Sequence, residues 1–353
     1  MRIVIDAYWL PHGAISGRNV VREIIINWSK TFPNDELIIA SPDPNAMNGM
    51  VGNVRYIKTR LKVHPAINAL ELPVIAKRAK ADWILSQNFS PVAKKSATFV
   101  HDFLFMSNPE WFSLKERAYM SLIPHLLPFT SVVLTSSGSE ARRIERFSPT
   151  TNRPTPVGLG VSTALTRANS EKPKIDLASK KFALVVGRVN VRKNLSNLID
   201  GALKSGMISN GYPLVVVGQE SGRTEKLSPT AVSAIKRGEI VMTGYVPDSA
   251  LKWLYENCDV MCFPSIAEGF GLPPVEAAYF GAKLLVSDIP VMRENLDQMA
   301  NYFDPFSTDS IAQELKNVCR NKNPGKRIHS TKHSWETVVT NIRAAFSEAE
   351  KTC

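Results

Sequence analysis

The chain has 353 residues, 44% of them hydrophobic and 21% charged, and a formal net charge of +11. That length and composition predict two domains with ordinary buried cores and exclude a disordered or fibrous protein. Every apolar run stops short of the ~18 residues of a spanning helix, which excludes a membrane-embedded class.

The N-terminal MRIVIDAYWL reads as a first strand. It lacks the apolar core and small-residue cleavage site of a signal peptide, so a cytoplasmic protein is expected. RIVID, LIIAS, DWILS, ATFV and SVVLTS read as buried parallel strands. Between the first two, Val20, Val21, Ile24, Ile25 and Trp28 recur at helical spacing. No Gly-x-Gly-x-x-Gly follows RIVID, which argues against a dinucleotide dehydrogenase. Residues 12–20, HGAISGRNV, join this strand to the helix and include Gly17.

Residues 1–165 carry a net +7 and the remainder +4. Within residues 55–80 seven basic side chains meet one acidic one, Glu71. A solvated face explains such a run. A surface that docks anionic lipid headgroups, or the phosphates of a lipid-linked substrate, explains it more sharply. No nucleic-acid motif accompanies the run, so nucleic acid is not an expected partner. Further on, TFVHDFLFMSNPEWF puts His101 and Asp102 just past a buried strand. A lone histidine there is commonly a satisfied core or loop residue.

Residues 161–180 are polar and rich in Ser and Lys, as suits a linker. Beyond them the strand pattern resumes with KFALVVG, YPLVVVG, EIVMTG, CDVMCFPS and AKLLVSD. The expected architecture is α/β, with two Rossmann-like doubly wound domains facing across a cleft: residues 1–165 and residues 175–330. After the strand ending at Gly187, the cations Arg188, Arg192 and Lys193 gather ahead of a helix that Asn194 can cap. GYVPDSAL offers a loop at Tyr245 and Val246, with Asp248 as an expected N-cap. Gly218 either lines the same pocket or marks a close-packed strand end. Cys258 and Cys262 read as strand residues, and with Cys319 and Cys353 they form no disulfide framework. His329 and His333 read as surface or hinge residues. No Asp-x-Asp occurs, so the simplest carboxylate site for a divalent cation is missing.

PSIAEGFGLPPVEAAYFGAK, residues 264–283, reads as a strand end, a tight glycine loop and a short helix. Both prolines fit its first turn and Gly281 its end. Phe270, Gly271 and Leu272 then present amides at a helix N-terminus, where the dipole favours an anion. Glu268 stands at the mouth of the loop and Glu276 in the first turn, where simple capping is its structural alternative. A phosphate flanked by carboxylates fits a diphosphate with hydroxyl groups beside it, as in a nucleotide-sugar.

These segments together resemble glycosyltransferase family 4, the retaining family with the GT-B fold, whose hallmark is two glutamates separated by seven residues. Glu268 and Glu276 meet it, and the resemblance runs on through SDIPVMREN and HSWETVVTNIRAAF. The His-Asp…Pro-Glu-Trp-Phe segment resembles bacterial mannosyl- and rhamnosyltransferases of cell-surface polysaccharides. The resemblance implies that Arg188 and Lys193 hold the donor diphosphate, with the amides of Gly271 and Leu272 on its distal phosphate. It implies that Glu276 holds the ribose hydroxyls, that Glu268 and His101 lie near the transferred sugar, and that the loop at Tyr245 and Val246 meets the base. Gly17 is an implied contact of the donor phosphates, although Arg18 stands where the family often has a second glycine. Residues 331–353 are implied to form a helix crossing back to the N-terminal, acceptor-side domain.

The expected activity is a hexosyltransferase using GDP-mannose as donor substrate, with no cofactor or metal. The expected acceptor is a lipid-linked or growing oligosaccharide of O-antigen, capsule or exopolysaccharide. The expected location is the cytoplasmic face of an anionic inner membrane, as a peripheral protein. The alternatives are a GT-B nucleotide-sugar epimerase and a catalytically silent nucleotide-sugar-binding protein.

Overall fold

The structure, a computed structural model, describes residues 1–11, 15–43, 53–148, 152–175, 177, 181–220, 222–224, 226–321, 323–328 and 331–352, without the side chains of Ile15 and Thr352. Residues 12–14 of the first loop, parts of the 161–180 linker, His329 and Cys353 lie outside these residues. The chain divides into two compact units. One comprises Met1–Pro109, Leu114–Gly160 and Thr331–Cys353; the other comprises Glu110–Ser113 and Val161–Ser330.

The first unit is built on a parallel sheet of β1 (Arg2–Asp6), β2 (Glu36–Ser41), β3 (Val54–Lys58), β4 (Trp83–Gln87), β5 (Ser96–Val100), β6 (Val132–Thr135) and β7 (Thr155–Pro156). Their order is β3-β2-β1-β4-β5-β6-β7. Its central strands β4, β5 and β6 are buried throughout and β1 from Ile3 onward, as a sheet covered on both faces requires. The order reverses between β1 and β4, and ligands of such sheets bind at that switch, outside the carboxyl ends of the strands.

The closing helix Trp335–Thr352 packs on this first unit. Phe346 stacks on Trp83 at 4.4 Å and 9°, and it lies beside Trp28. Each such buried aromatic adds about 1.5–3 kcal/mol. Asp35 accepts from the N-terminal ammonium, Trp28 Nε1 and Arg343, so three distant segments converge on one carboxylate. Burial works against that carboxylate, yet its donors hold it below the usual range. Gly160 has no room for a Cβ, which would lie 2.6 Å from the amide of Trp335. His333 is buried just ahead of the helix rather than standing on the surface.

The second unit repeats the scheme with β8 (Ala183–Val186), β9 (Leu214–Val217), β10 (Ile240–Gly244), β11 (Val260–Phe263), β12 (Leu284–Ser287) and β13 (Asn301–Phe303). Their order is β10-β9-β8-β11-β12-β13, again parallel, with the switch between β8 and β11. Cys262 is buried in β11, whereas Cys258 ends the preceding helix instead of lying in the strand. Among the described residues no helix is long and apolar enough to cross a membrane.

Candidate functional site

At the switch point of the second unit, β8 runs into Gly187 and Arg188, and a single 3-10 turn, Val191–Lys193, follows. The Asn190 side chain accepts from the amide of Lys193 and caps that turn. Asn194 stands at the start of the Leu195–Lys204 helix, as expected, but its side chain makes no cap. It adopts φ +53° and donates to the carbonyls of Pro264 and Pro305, tying this turn to the end of β11.

That tie brings the basic turn against Glu268. Lys193 Nζ lies 2.5 Å from Glu268 Oε1, and an Arg192 guanidinium nitrogen lies 2.7 Å from Oε2. Lys193 also sits over the Phe263 ring, 4.6 Å from its centroid. Burial raises the Glu268 carboxyl, but the Arg192 and Lys193 charges overcome it and bring it down to about 2. Burial brings Lys193 down to about 8, with Glu268 opposing and both arginines reinforcing the shift. At neutral pH the pair is therefore ionised. Arg192 and Lys193 share that carboxylate while Arg188 lies close enough to disfavour the Lys193 charge, and the excess of positive charge suits a diphosphate. Arg188, Lys193, Gly187, Phe263, Pro264 and Ser265 line one hollow there. The Ser265 hydroxyl is fully buried and makes no geometrically sound hydrogen bond, although it lies close enough to Glu268 to favour the ionised carboxylate.

The Leu272–Phe280 helix begins directly after this loop. Gly271 precedes it at φ +83°, a conformation that favours glycine, and a Cβ there would lie 2.2 Å from Met292 Cε, the end of a flexible side chain. Asn295 holds the loop by donating to the carbonyl of Phe270 at 2.7 Å. Leu272 is the first helical residue, which places Glu276 one turn deeper than the first turn expected for it. Glu276 is accordingly not a cap. Its Oε2 accepts from the Tyr255 hydroxyl at 3.1 Å, on the neighbouring Asp248–Asn257 helix. Asp248 is the first residue of that helix, and Pro247 occupies the cap position expected for it. Burial pushes Glu276 up to about 7, with Tyr255 opposing and Asp248 adding to the shift.

Tyr245 is exposed and Val246 half-buried in the loop after β10. Gly218 closes β9 at φ +143°, and a Cβ there would lie 1.8 Å from the carbonyl oxygen of Gly187. Close packing is thus the physical reason for this glycine.

The remaining expected residues, Gly17 and His101, belong to the first unit. Gly17 lies inside the Ile15–Thr31 helix instead of in a loop, and a Cβ there would lie 2.7 Å from the Trp9 ring. His101 follows β5, with its Nε2 2.8 Å from Gln87 Oε1 and its amide donating to Asn88 Oδ1. At the adjoining switch point Asp6 gathers four donors: the amides of Tyr8 and Gln87, His64 Nε2 at 2.7 Å and Asn68 Nδ2 at 2.9 Å. Burial raises the Asp6 carboxyl, but His64 and the hydrogen bonds bring it below its ordinary value. Tyr255 and Gln87 carry no motif of their own, and Ser265 lies in the glycine-loop segment without a signal of its role, so only the fold reveals their contacts. Among the described residues no group of three His, Cys, Asp or Glu side chains is placed to hold a metal ion.

A solved glycosyltransferase from Rickettsia africae superposes on 100% of this chain and 99% of its own, with a TM-score of 0.68 at 13% identity. Two parallel Rossmann-like sheets and likeness to such proteins define the fold as GT-B. Residues 167–335 match the model of glycosyl transferases group 1. The chain is 27% identical over 230 residues to O-antigen chain mannosyltransferase B of Escherichia coli, across 63% of this chain and 60% of that protein. It is 31% identical over 149 residues to O-antigen chain mannosyltransferase RfbU of Salmonella typhimurium, across 41% of each. These matches span less than two thirds of the relatives' own lengths. The chain thus resembles bacterial surface-polysaccharide mannosyltransferases.

Proposed function

We propose that the protein is a retaining hexosyltransferase of glycosyltransferase family 4, moving mannose from GDP-mannose to a lipid-linked or growing oligosaccharide of a surface polysaccharide. One observation carries this reading: the net-positive cluster of Arg188, Arg192 and Lys193 around buried Glu268, at the switch point of a sheet within the matched segment. The relatives' names guide the choice of mannose and O-antigen.

In this reading the cations and the amides of Phe270, Gly271 and Leu272 meet the donor diphosphate. Preorganised charge has most effect there, because negative charge grows on the phosphate as its bond to the sugar C1 breaks. The acceptor oxygen bonds to C1 on the face the diphosphate leaves, and its proton passes to a departing phosphate oxygen. Glu276 takes the ribose hydroxyls and Tyr245–Val246 the base. Glu268 orients Lys193 and Arg192 beside the transferred sugar, to which His101 is also assigned, and Gly17 is assigned to the donor phosphates. No metal ion takes part.

The acceptor's lipid favours docking on an anionic membrane surface. All seven basic residues of 55–80 are exposed, and so are Leu61, Val63, Leu70 and Val74 among them. Basic side chains interleaved with exposed apolar ones suit a headgroup layer.

The test is incubation with a panel of labelled nucleotide-sugars, with and without membrane lipid extract. A labelled glycolipid formed from GDP-mannose is the expected outcome. Free nucleotide without a glycoside points to an epimerase, and tight nucleotide binding without turnover to a silent binder.

A further inference from the structure

We propose that Tyr255 is the positioning residue of the ribose site: its hydroxyl holds Glu276 Oε2 and leaves Oε1 ionised and oriented for the ribose hydroxyls. The inference rests on the assignment of Glu276 to the donor ribose. Its basis is geometric. Glu276 projects from the Leu272–Phe280 helix into a shielded position where the Tyr255 hydroxyl, at 3.1 Å, is its hydrogen-bond donor.

Tyr255 can do this because it is itself immobile. It is 1% exposed and stacks on Phe280 at 6.0 Å and 12°. Burial raises its own hydroxyl well above the ordinary tyrosine value, so it stays a donor throughout the working pH range. A carboxylate buried without a paired cation tends to take up a proton, and a protonated Glu276 loses acceptor capacity for sugar hydroxyls. One fixed donor opposes that protonation and selects the carboxylate rotamer.

Few other groups bear on Glu276. From the Tyr255 helix comes Asp248, which disfavours the charged form. β11 turns its buried Cys262 into the core on the other face of the sheet, and β12 brings no ionisable side chain. Lys252 and Arg327 lie at the far end of the helix, over Phe280 and against Gly281.

The experiment measures GDP and 2′,3′-dideoxy-GDP binding by calorimetry from about pH 6 to 9, for wild type, Tyr255→Phe and Glu276→Gln. Wild-type affinity for GDP is expected to fall as pH drops through about 7, where Glu276 protonates. In Tyr255→Phe the midpoint moves up by about one unit, since a hydrogen bond to a charged group is lost. Its GDP affinity relative to the dideoxy nucleotide, which shares the diphosphate contacts of Lys193, is then about five- to tenfold weaker near neutrality and recovers at the alkaline end. The dideoxy nucleotide ignores both substitutions.

The Phe ring preserves the stacking. Carbon-13 titration of the Glu276 carboxyl without ligand reads the same shift independently of binding. An unmoved midpoint in Tyr255→Phe, with Glu276→Gln still abolishing the pH dependence, overturns the positioning role alone. If Glu276→Gln weakens GDP and the dideoxy nucleotide equally, the ribose assignment falls and the inference falls with it.

Discussion

Gln87 and His101 stand at the ends of adjacent strands β4 and β5, with Gln87 Oε1 2.8 Å from His101 Nε2. Burial brings the imidazole down to about 3, against the pull of Asp6 and with His64 reinforcing the shift. A neutral ring that donates its Nε2–H to Gln87 keeps its lone pair on Nδ1, the tautomer that accepts from a hydroxyl. The His101 resonances, assigned against His101→Gln, should therefore stay those of neutral imidazole from about pH 5 to 8. Gln87→Glu sets a carboxylate against the ring and should raise its pKa. A wild-type ring titrating at the ordinary value of about 6.5 would show that it is hydrated and not held.

Lys193 is the residue whose loss should cost most. Lys193→Ala removes a charge-assisted contact worth about 1.5–3 kcal/mol to the diphosphate. Because that contact strengthens as the phosphate departs, kcat/KM should fall roughly ten- to a hundredfold or more. Lys351→Ala, on the exposed end of the closing helix, is the matched control. Nucleotide affinity and transfer rate should be measured for both. Equal behaviour of the two variants would remove the diphosphate from this cluster.

The strands that pack on both faces are legible in the sequence because burial writes them as continuous apolar runs, as in β1, β4, β8 and β11. β3 is half-exposed and lies within the basic segment, β7 has two residues and β13 three, so none leaves a comparable signal. In the candidate site the glycine loop and the basic turn are visible as motifs. Their pairing is not, since Lys193 and Glu268 are 75 residues apart and meet only where β8 and β11 adjoin. Asp6, His64, Asn68 and Gln87 converge in the same manner at the first switch point, and no local spacing announces it. Glu276 falls one turn deeper than expected because the helix opens on Leu272.

Gly218→Ala tests how tightly the basic turn is braced. The added Cβ meets the Gly187 carbonyl oxygen at 1.8 Å, and φ +143° disfavours any side chain. Overpacking and backbone strain together should cost roughly 2–6 kcal/mol, lowering Tm by on the order of 10 °C. Gly206→Ala separates the two effects: its φ is +68° but its Cβ meets nothing within 4 Å. That variant should lose only about 1–2 kcal/mol. Since Gly187 adjoins Arg188, nucleotide affinity should drop in Gly218→Ala and hold in Gly206→Ala. Similar melting temperatures for the two would refute the clash.

The basic segment of the first unit makes a prediction about membranes. Glu71, its one acidic residue, accepts from the amides of Arg60 and Leu61, so it braces the loop beneath the cations. Leu70 and Val74 are 61% and 47% exposed, and helical spacing sets them on one face with Lys77 and Arg78. Vesicles containing anionic phosphatidylglycerol should bind the protein reversibly, and neutral phosphatidylcholine vesicles should bind it far less. Salt should weaken the attachment, because exposed charges are screened over about 10 Å at 0.1 M. Each basic residue near such a surface contributes about 1 kcal/mol. Replacing Lys58, Arg60 and Lys62 with Glu should therefore cut binding about a hundredfold or more. Leu70→Ser with Val74→Ser should remove the part of the binding that survives high salt, since apolar insertion is not screened. Cosedimentation at low and high salt reads both effects, and undiminished binding by the triple reversal would leave the segment a solvated face.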